Sequence, residues 1–213
     1  MMKKNITKLM ALLLVLVMAV SMTACASDQE KMVGTWQSDV EFAPVFNDTL
    51  SSTEDAEYLS VESLKIRVIL TFTEEGTYTL AADADSMKAA MESLKDSLKV
   101  GVERYLEDTI AESGMDLTID EILEIMGTSM DELIDAVVSQ EMIDEMAQSM
   151  VAEGNFKAED GKLYMSDSLE SAIDETVYDT YTLEDDVLTL VSTTQTDAQA
   201  DLLYPMTFSR VTE

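Results

Sequence analysis

The chain is expected to be mainly β with an α insertion: an eight-stranded antiparallel barrel interrupted by a helical segment. Three observations predict this. In "LKIRVILTF", residues 64–72, Leu64, Ile66, Val68, Leu70 and Phe72 share one parity, while Lys65, Arg67 and Thr71 take the other. That alternation is the mark of a half-buried strand. After residue 82 the apolar spacing becomes helical and stays so to about residue 152. Beyond it, strand-like runs return, most of them joined by short turn-forming groups such as "EDG" and "DD", which favour an up-and-down antiparallel arrangement.

The elements follow in chain order. Lys3, Lys4 and Lys8 precede the apolar run "MALLLVLVMAV". That run is too short for a comfortable membrane span, which needs about 20 apolar residues, and its flanks read as a secretory signal. "MTAC", residues 22–25, resembles a bacterial lipobox. The resemblance implies a lipoprotein signal peptide over 1–24 and lipidation of Cys25, with 25–31 as a spacer. Cys25 is the sole cysteine, so no internal disulfide is possible. Two acyl chains on it would give stable anchoring, placing the protein outside the cytoplasm on the bacterial cell membrane.

The expected strands lie at about 33–40, 64–72, 77–82, 153–158, 162–166, 176–184, 187–193 and 202–211. In the last, Leu202, Tyr204, Met206, Phe208 and Arg210 share a face, and Pro205 points to an edge or bulge. The barrel therefore comprises 32–82 and 153–213, and the helical insertion 83–152. Within the insertion, Met87, Met91, Leu94 and Leu98 form one stripe. Tyr105, Leu106 and Ile110 belong to a next helix, followed by stripes at Ile119–Met126, Met130–Val138 and Met142–Met150. Thr118 with Glu121, and Ser129 with Glu132, fit capping boxes. The segment from Glu41 to Glu62 reads as a solvated acidic loop; no basic residue occurs between Met32 and Leu64.

Gly34-Thr35-Trp36 resembles the Gly-x-Trp signature of lipocalins and the wider calycin group. That resemblance implies that Trp36 plugs one end of a lipocalin-like barrel, with Arg210 packed across its ring and Gly34 making room for the indole. The alternative reading of Trp36 is an ordinary core aromatic. The helical insertion, about 67 residues long, departs from the family pattern and stands where an open ligand mouth would be expected.

Charge and composition narrow the function. Three of the 13 basic residues lie in the leader, so the exported part has 10 basic and 43 acidic residues, a formal charge of −33. Nucleic acid is excluded as a partner, since phosphate binding needs basic patches. Acidic groups at Asp83–Asp85, Glu159–Asp160 and Glu184–Asp186 leave weak calcium binding open, but none matches an EF-hand loop, and no metal or cofactor is expected. Histidine is absent, which removes the commonest general base and zinc ligand. A non-enzymatic role is therefore expected. One reading is the binding of a small apolar ligand in the barrel, lined by Ile66, Val68, Leu70, Tyr78, Leu80, Tyr181, Leu190, Tyr204 and Phe208, with the methionine-rich helices as a lid. The alternative is a structural lipoprotein that contacts another envelope protein through its helices.

Overall fold

The computed structural model describes residues 27–51, 56–114, 116–196 and 202–212. The leader and Cys25 lie outside the described residues.

Eight antiparallel strands close into a barrel in sequence order. They are β1 (Gly34–Glu41), β2 (Lys65–Phe72), β3 (Thr77–Ala82), β4 (Ala152–Glu159), β5 (Lys162–Met165), β6 (Asp179–Glu184), β7 (Val187–Thr193) and β8 (Met206–Arg210). β1 and β8 close the ring, with Trp36 opposite Arg210. Alternation sets the inward face. Ile66, Val68, Leu70 and Phe72 are buried along β2, and Trp36, Ser38 and Val40 along β1.

The last strand is shorter than the sequence suggests. Leu202 and Tyr204 lie in the connection before it, and Pro205, which has no N–H to give a ladder, immediately precedes Met206. β6 likewise begins at Asp179, because Asp174 turns the chain by accepting from the Thr176 amide at 2.9 Å.

The two ends of the barrel differ. The β2–β3, β4–β5 and β6–β7 connections are tight turns at one end. Asp160 and Gly161 both take positive φ, at 52° and 74°, the backbone of a two-residue hairpin whose twist suits the strands. All the long connections emerge at the other end, including the helices between β3 and β4.

The segment expected as a spacer folds in part. Helix α1 (Asp28–Met32) opens on a Ser27–Glu30 capping box. The expected acidic loop also folds. It holds α2 (Ala43–Leu50), with Pro44 in its first turn, and α3 (Ala56–Leu59). The charges face solvent while Phe46, Leu59 and Val61 turn inward, so acidity marked one face rather than an unstructured loop.

The insertion holds α4 (Ala84–Ser113), α5 (Ile119–Met126), α6 (Met130–Val137) and α7 (Gln140–Ser149). The two stripes at Met87–Leu98 and Tyr105–Ile110 belong to one continuous α4. Gly101 sits in its interior, where a Cβ would overlap the Tyr58 carbonyl. A residue that costs helix stability here allows α3 to cross in backbone contact. α5 and α6 begin at the expected boxes: Thr118 accepts from the Glu121 amide at 3.3 Å, and Ser129 from the Glu132 amide at 3.3 Å.

Two apolar cores result. One fills the barrel around Trp36, Leu70, Phe72, Leu163, Leu188 and Phe208. The other joins α2, α3 and the insertion over the barrel's long-loop end, around Ile66, Met91, Leu94 and Ile134. Phe42 and Met150 pack against both.

Candidate functional site

The tight-turn end is sealed. Trp36 is fully buried, and its indole Nε1 donates to the Met32 carbonyl at 2.8 Å. The Arg210 guanidinium carbon sits 4.1 Å from the indole centroid. Its Nη1 donates to the Val33 carbonyl at 2.7 Å and its Nη2 to the Lys31 carbonyl at 2.6 Å. These carbonyls stand at the C-terminus of α1, where helices leave acceptors unpaired. Asp186 completes the arrangement by accepting from Arg210 Nε at 3.1 Å. Gly34, at φ 132°, makes room for the arginine rather than for the indole: a Cβ there would lie 2.5 Å from Arg210 Nη1. α1 is tied down further by Tyr181, whose hydroxyl donates to Asp28 at 3.1 Å. Burial and the Asp28 carboxylate both raise the Tyr181 phenol above its ordinary range.

The nine residues expected to line a barrel ligand are placed in three ways. Val68, Leu70, Tyr78, Tyr181, Leu190 and Phe208 belong to the packed barrel core with Trp36. Leu80 and Tyr204 are partly buried against that core. Ile66 lies in β2 opposite Val40, at the long-loop end, and its side chain belongs to the helical core. Within the barrel core, Leu70 and Phe208 are each 1% exposed, so neighbouring side chains cover them as in a close-packed interior. Tyr78 donates its hydroxyl to the Ser166 carbonyl at 2.9 Å, a contact that holds β5 against β3 rather than one aimed at a ligand.

Among the described residues one carboxyl is buried, that of Asp179, near the barrel's long-loop end. Burial pushes it above the usual carboxylate range, against hydrogen bonds from Thr193 and Tyr204 that favour its charge. Elsewhere the acidic groups singled out in the sequence have local duties. Asp83 caps α4 by accepting from the Ser86 amide, Asp160 and Asp185 turn hairpins, and Asp186 holds Arg210. Among the described residues, no three His, Cys, Asp or Glu side chains are grouped to hold a metal ion.

Cavities occur in the helical layer. One of about 220 Å³ is lined by apolar side chains alone: Phe46 and Leu50 of α2, Leu59 of α3, Leu94 and Leu98 of α4, and Met142 and Met146 of α7, with Met91, Val137, Val138 and Ile143 completing the wall. On the other flank of α7 lies a wider groove of about 500 Å³. Met87, Met91, Ile143 and Ala147 supply its apolar surface, and Lys88, Glu92, Lys95 and Asp144 its charges. Met91 and Ile143 border both spaces. α7 therefore bridges two cavities, and none of its residues is fully buried.

The sequence reading missed Phe46, Leu50 and Leu59 as site residues, because it took their segment for a loop. Phe46 and Leu50, four residues apart, were the available signal for a helical apolar face.

Comparison of the chain with protein-family models, with curated proteins and with solved structures finds no significant match to any of the three. The closed eight-stranded antiparallel barrel is compatible with a lipocalin-like fold.

Proposed function

We propose that this protein is an extracytoplasmic lipoprotein with a lipocalin-like domain, anchored to the bacterial cell membrane through Cys25, and that it binds a small apolar ligand in its helical layer. It acts as a binding protein and not as an enzyme. The observation that carries this reading is the 220 Å³ cavity, in which every lining side chain is apolar. Ligand sites are concave and mostly apolar, and the methionines at three points of this wall can follow an irregular ligand. The packed barrel supports the site as a scaffold. Two residues separate Cys25 from α1, and α1 lies at the tight-turn end, so the anchor would hold that end towards the membrane and present the helical layer away from it.

The test is native mass spectrometry of the protein purified from its own host, before and after organic extraction. A bound small molecule removed by extraction is expected. A bare mass from several gentle preparations would overturn the ligand reading.

One observation favours a second reading, a structural lipoprotein that contacts an envelope protein. Ile125, Met126 and Val137 are 75%, 57% and 57% exposed on the helical layer, and exposed apolar side chains of this kind suit an interface. Crosslinking in intact cells that is lost on replacing Ile125 and Met126 with Asn would support it.

A further inference from the structure

We infer that the two cavities flanking α7 form one binding trough, and that its ligand is a single alkyl chain with a carboxylate head held at Lys88. This inference rests on the apolar-ligand reading and adds the class of ligand and the way it enters.

The first argument is charge. Among the ten described basic residues, Lys31, Arg67, Lys95, Lys99, Lys157 and Arg210 are in ion pairs. Arg104 lies over Tyr58 and Lys162 over Tyr178. Lys65 and Lys88 alone have no such partner. Lys88 lines the wide groove, exposed on a surface otherwise crowded with carboxylates. Lys95, further along the groove, is held by Asp135 at 2.6 Å. Glu92 and Asp144 also line the groove, and their repulsion grows with the charge of the ligand, so a monoanion suits a single lysine there better than a dianion. A carboxylate is the simplest such head.

The second argument is shape. Met87, Met91, Leu94 and Leu98 share one face of α4 and pass from the groove into the apolar cavity. Lys88 and Leu98 are ten residues apart on this helix, about 15 Å at 1.5 Å per residue. An extended chain advances about 1.2 Å per bond, so that span fits about 12 chain atoms. The Met91–Ile143 boundary must part for the chain to pass. The element carrying Ile143 is α7, which has no fully buried residue and meets the helical core only through the partly buried Ile143, Met146 and Ala147. α7 is thus a lid, and Met91 the flexible side chain beneath it.

The experiment uses the full chain, processed by its host and placed in phosphatidylcholine nanodiscs. The probe is a 12-carbon fatty acid with a diazirine at the far end of the chain. Photolabelling is read by peptide mass spectrometry, with dodecanoate, dodecanol and dodecylamine as competitors. Labelling is expected on Leu98, Met142 or Met146, with dodecanoate competing at least tenfold better than dodecylamine. Lys88→Glu should cut labelling about tenfold and Lys88→Arg should preserve it. Circular dichroism should be unchanged in both, since the side chain is exposed. If dodecanol competes as well as dodecanoate, or Lys88→Glu labels normally, the carboxylate assignment falls while the apolar site stands. If dodecylamine competes best, the carboxylates around the groove govern binding and the assignment is reversed. Labelling confined to barrel residues such as Leu70 or Tyr204, or none at all, overturns the site together with the ligand class.

Discussion

The two ends of this molecule solve the same problem, covering apolar surface, in opposite ways. At the tight-turn end a few residues fix one arrangement. Trp36 is fully buried, its N–H satisfied by Met32, and a guanidinium with three partners lies on its face. At the other end, helices rich in methionine leave cavities on both flanks of α7. Directional polar contacts make the first end single-valued. At the second, ion pairs such as Lys95–Asp135 and Lys99–Asp131 link α4 to α6 at the surface, but the cavity walls around α7 meet through apolar contact, which is non-directional, and so their packing can adjust. Rigidity belongs to the scaffold and adaptability to the proposed site.

The largest effect that would break this comparison lies at Trp36. Trp36→Ala removes a fully buried aromatic, and such truncations cost about 3–5 kcal/mol. A loss of that size in chemical denaturation is expected, with the barrel and helical signals falling together if the plug supports both. A loss below about 1 kcal/mol would mean that the barrel end is not the rigid element.

Arg210→Ala should come next. It removes a cation–π contact worth about 0.5–2 kcal/mol and leaves two α1 carbonyls without their charged donor. A loss of roughly 2–3 kcal/mol is expected, since hydrogen bonds to charged groups contribute about 1.5–3 kcal/mol and the group is partly exposed. Arg210→Lys should recover only part, because an ammonium cannot match a planar fork that reaches both carbonyls and Asp186. Full recovery by lysine would reduce the contact to simple charge.

Met146→Ala probes the other region. The side chain already borders a cavity and is only partly buried, so its loss should cost under about 1 kcal/mol, well below the usual range for a buried methionine. It should nevertheless alter ligand retention in native mass spectra. A cost as large as that of Trp36→Ala would show the helical layer to be as tightly determined as the barrel.

The same contrast explains what the sequence made legible. Strand alternation through Ile66–Phe72, the turns at Asp160–Gly161 and the capping boxes at Thr118 and Ser129 are local rules, and the barrel and helices follow from them. The pairing of Trp36 with Arg210 where β1 closes on β8 was accessible only through the resemblance around Trp36. The cavity was not legible, because it is assembled from helices distant in sequence. Phe46 and Leu98 are brought together by α3 crossing α4 at Gly101, a contact with no local signature. In the barrel, alternation identified inward residues correctly but could not say whether they meet one another or enclose a space. That depends on their summed volume against the barrel's bore.

The smallest change, and the one that tests sign more than size, concerns Asp179. Its carboxyl is raised in the folded protein, chiefly by burial, with Thr193 and Tyr204 opposing. The folded state therefore binds the proton more tightly than the unfolded chain. Stability linked to this group is fully present below the unfolded carboxylate range, near about pH 4, and is lost as pH rises through the folded value. Asp179→Asn keeps an oxygen that can accept from either hydroxyl while removing the buried charge. It should be more stable than the parent at neutral pH, and the gap should close as the pH falls towards the ordinary carboxylate range. Denaturation midpoints of the two proteins across that interval measure the difference. A variant that is less stable at pH 7 would show that the Thr193 and Tyr204 hydrogen bonds outweigh burial. Asp179 would then be a fixed charge at the barrel's helical end, and the polar contacts that make the Trp36 end rigid would have a counterpart there.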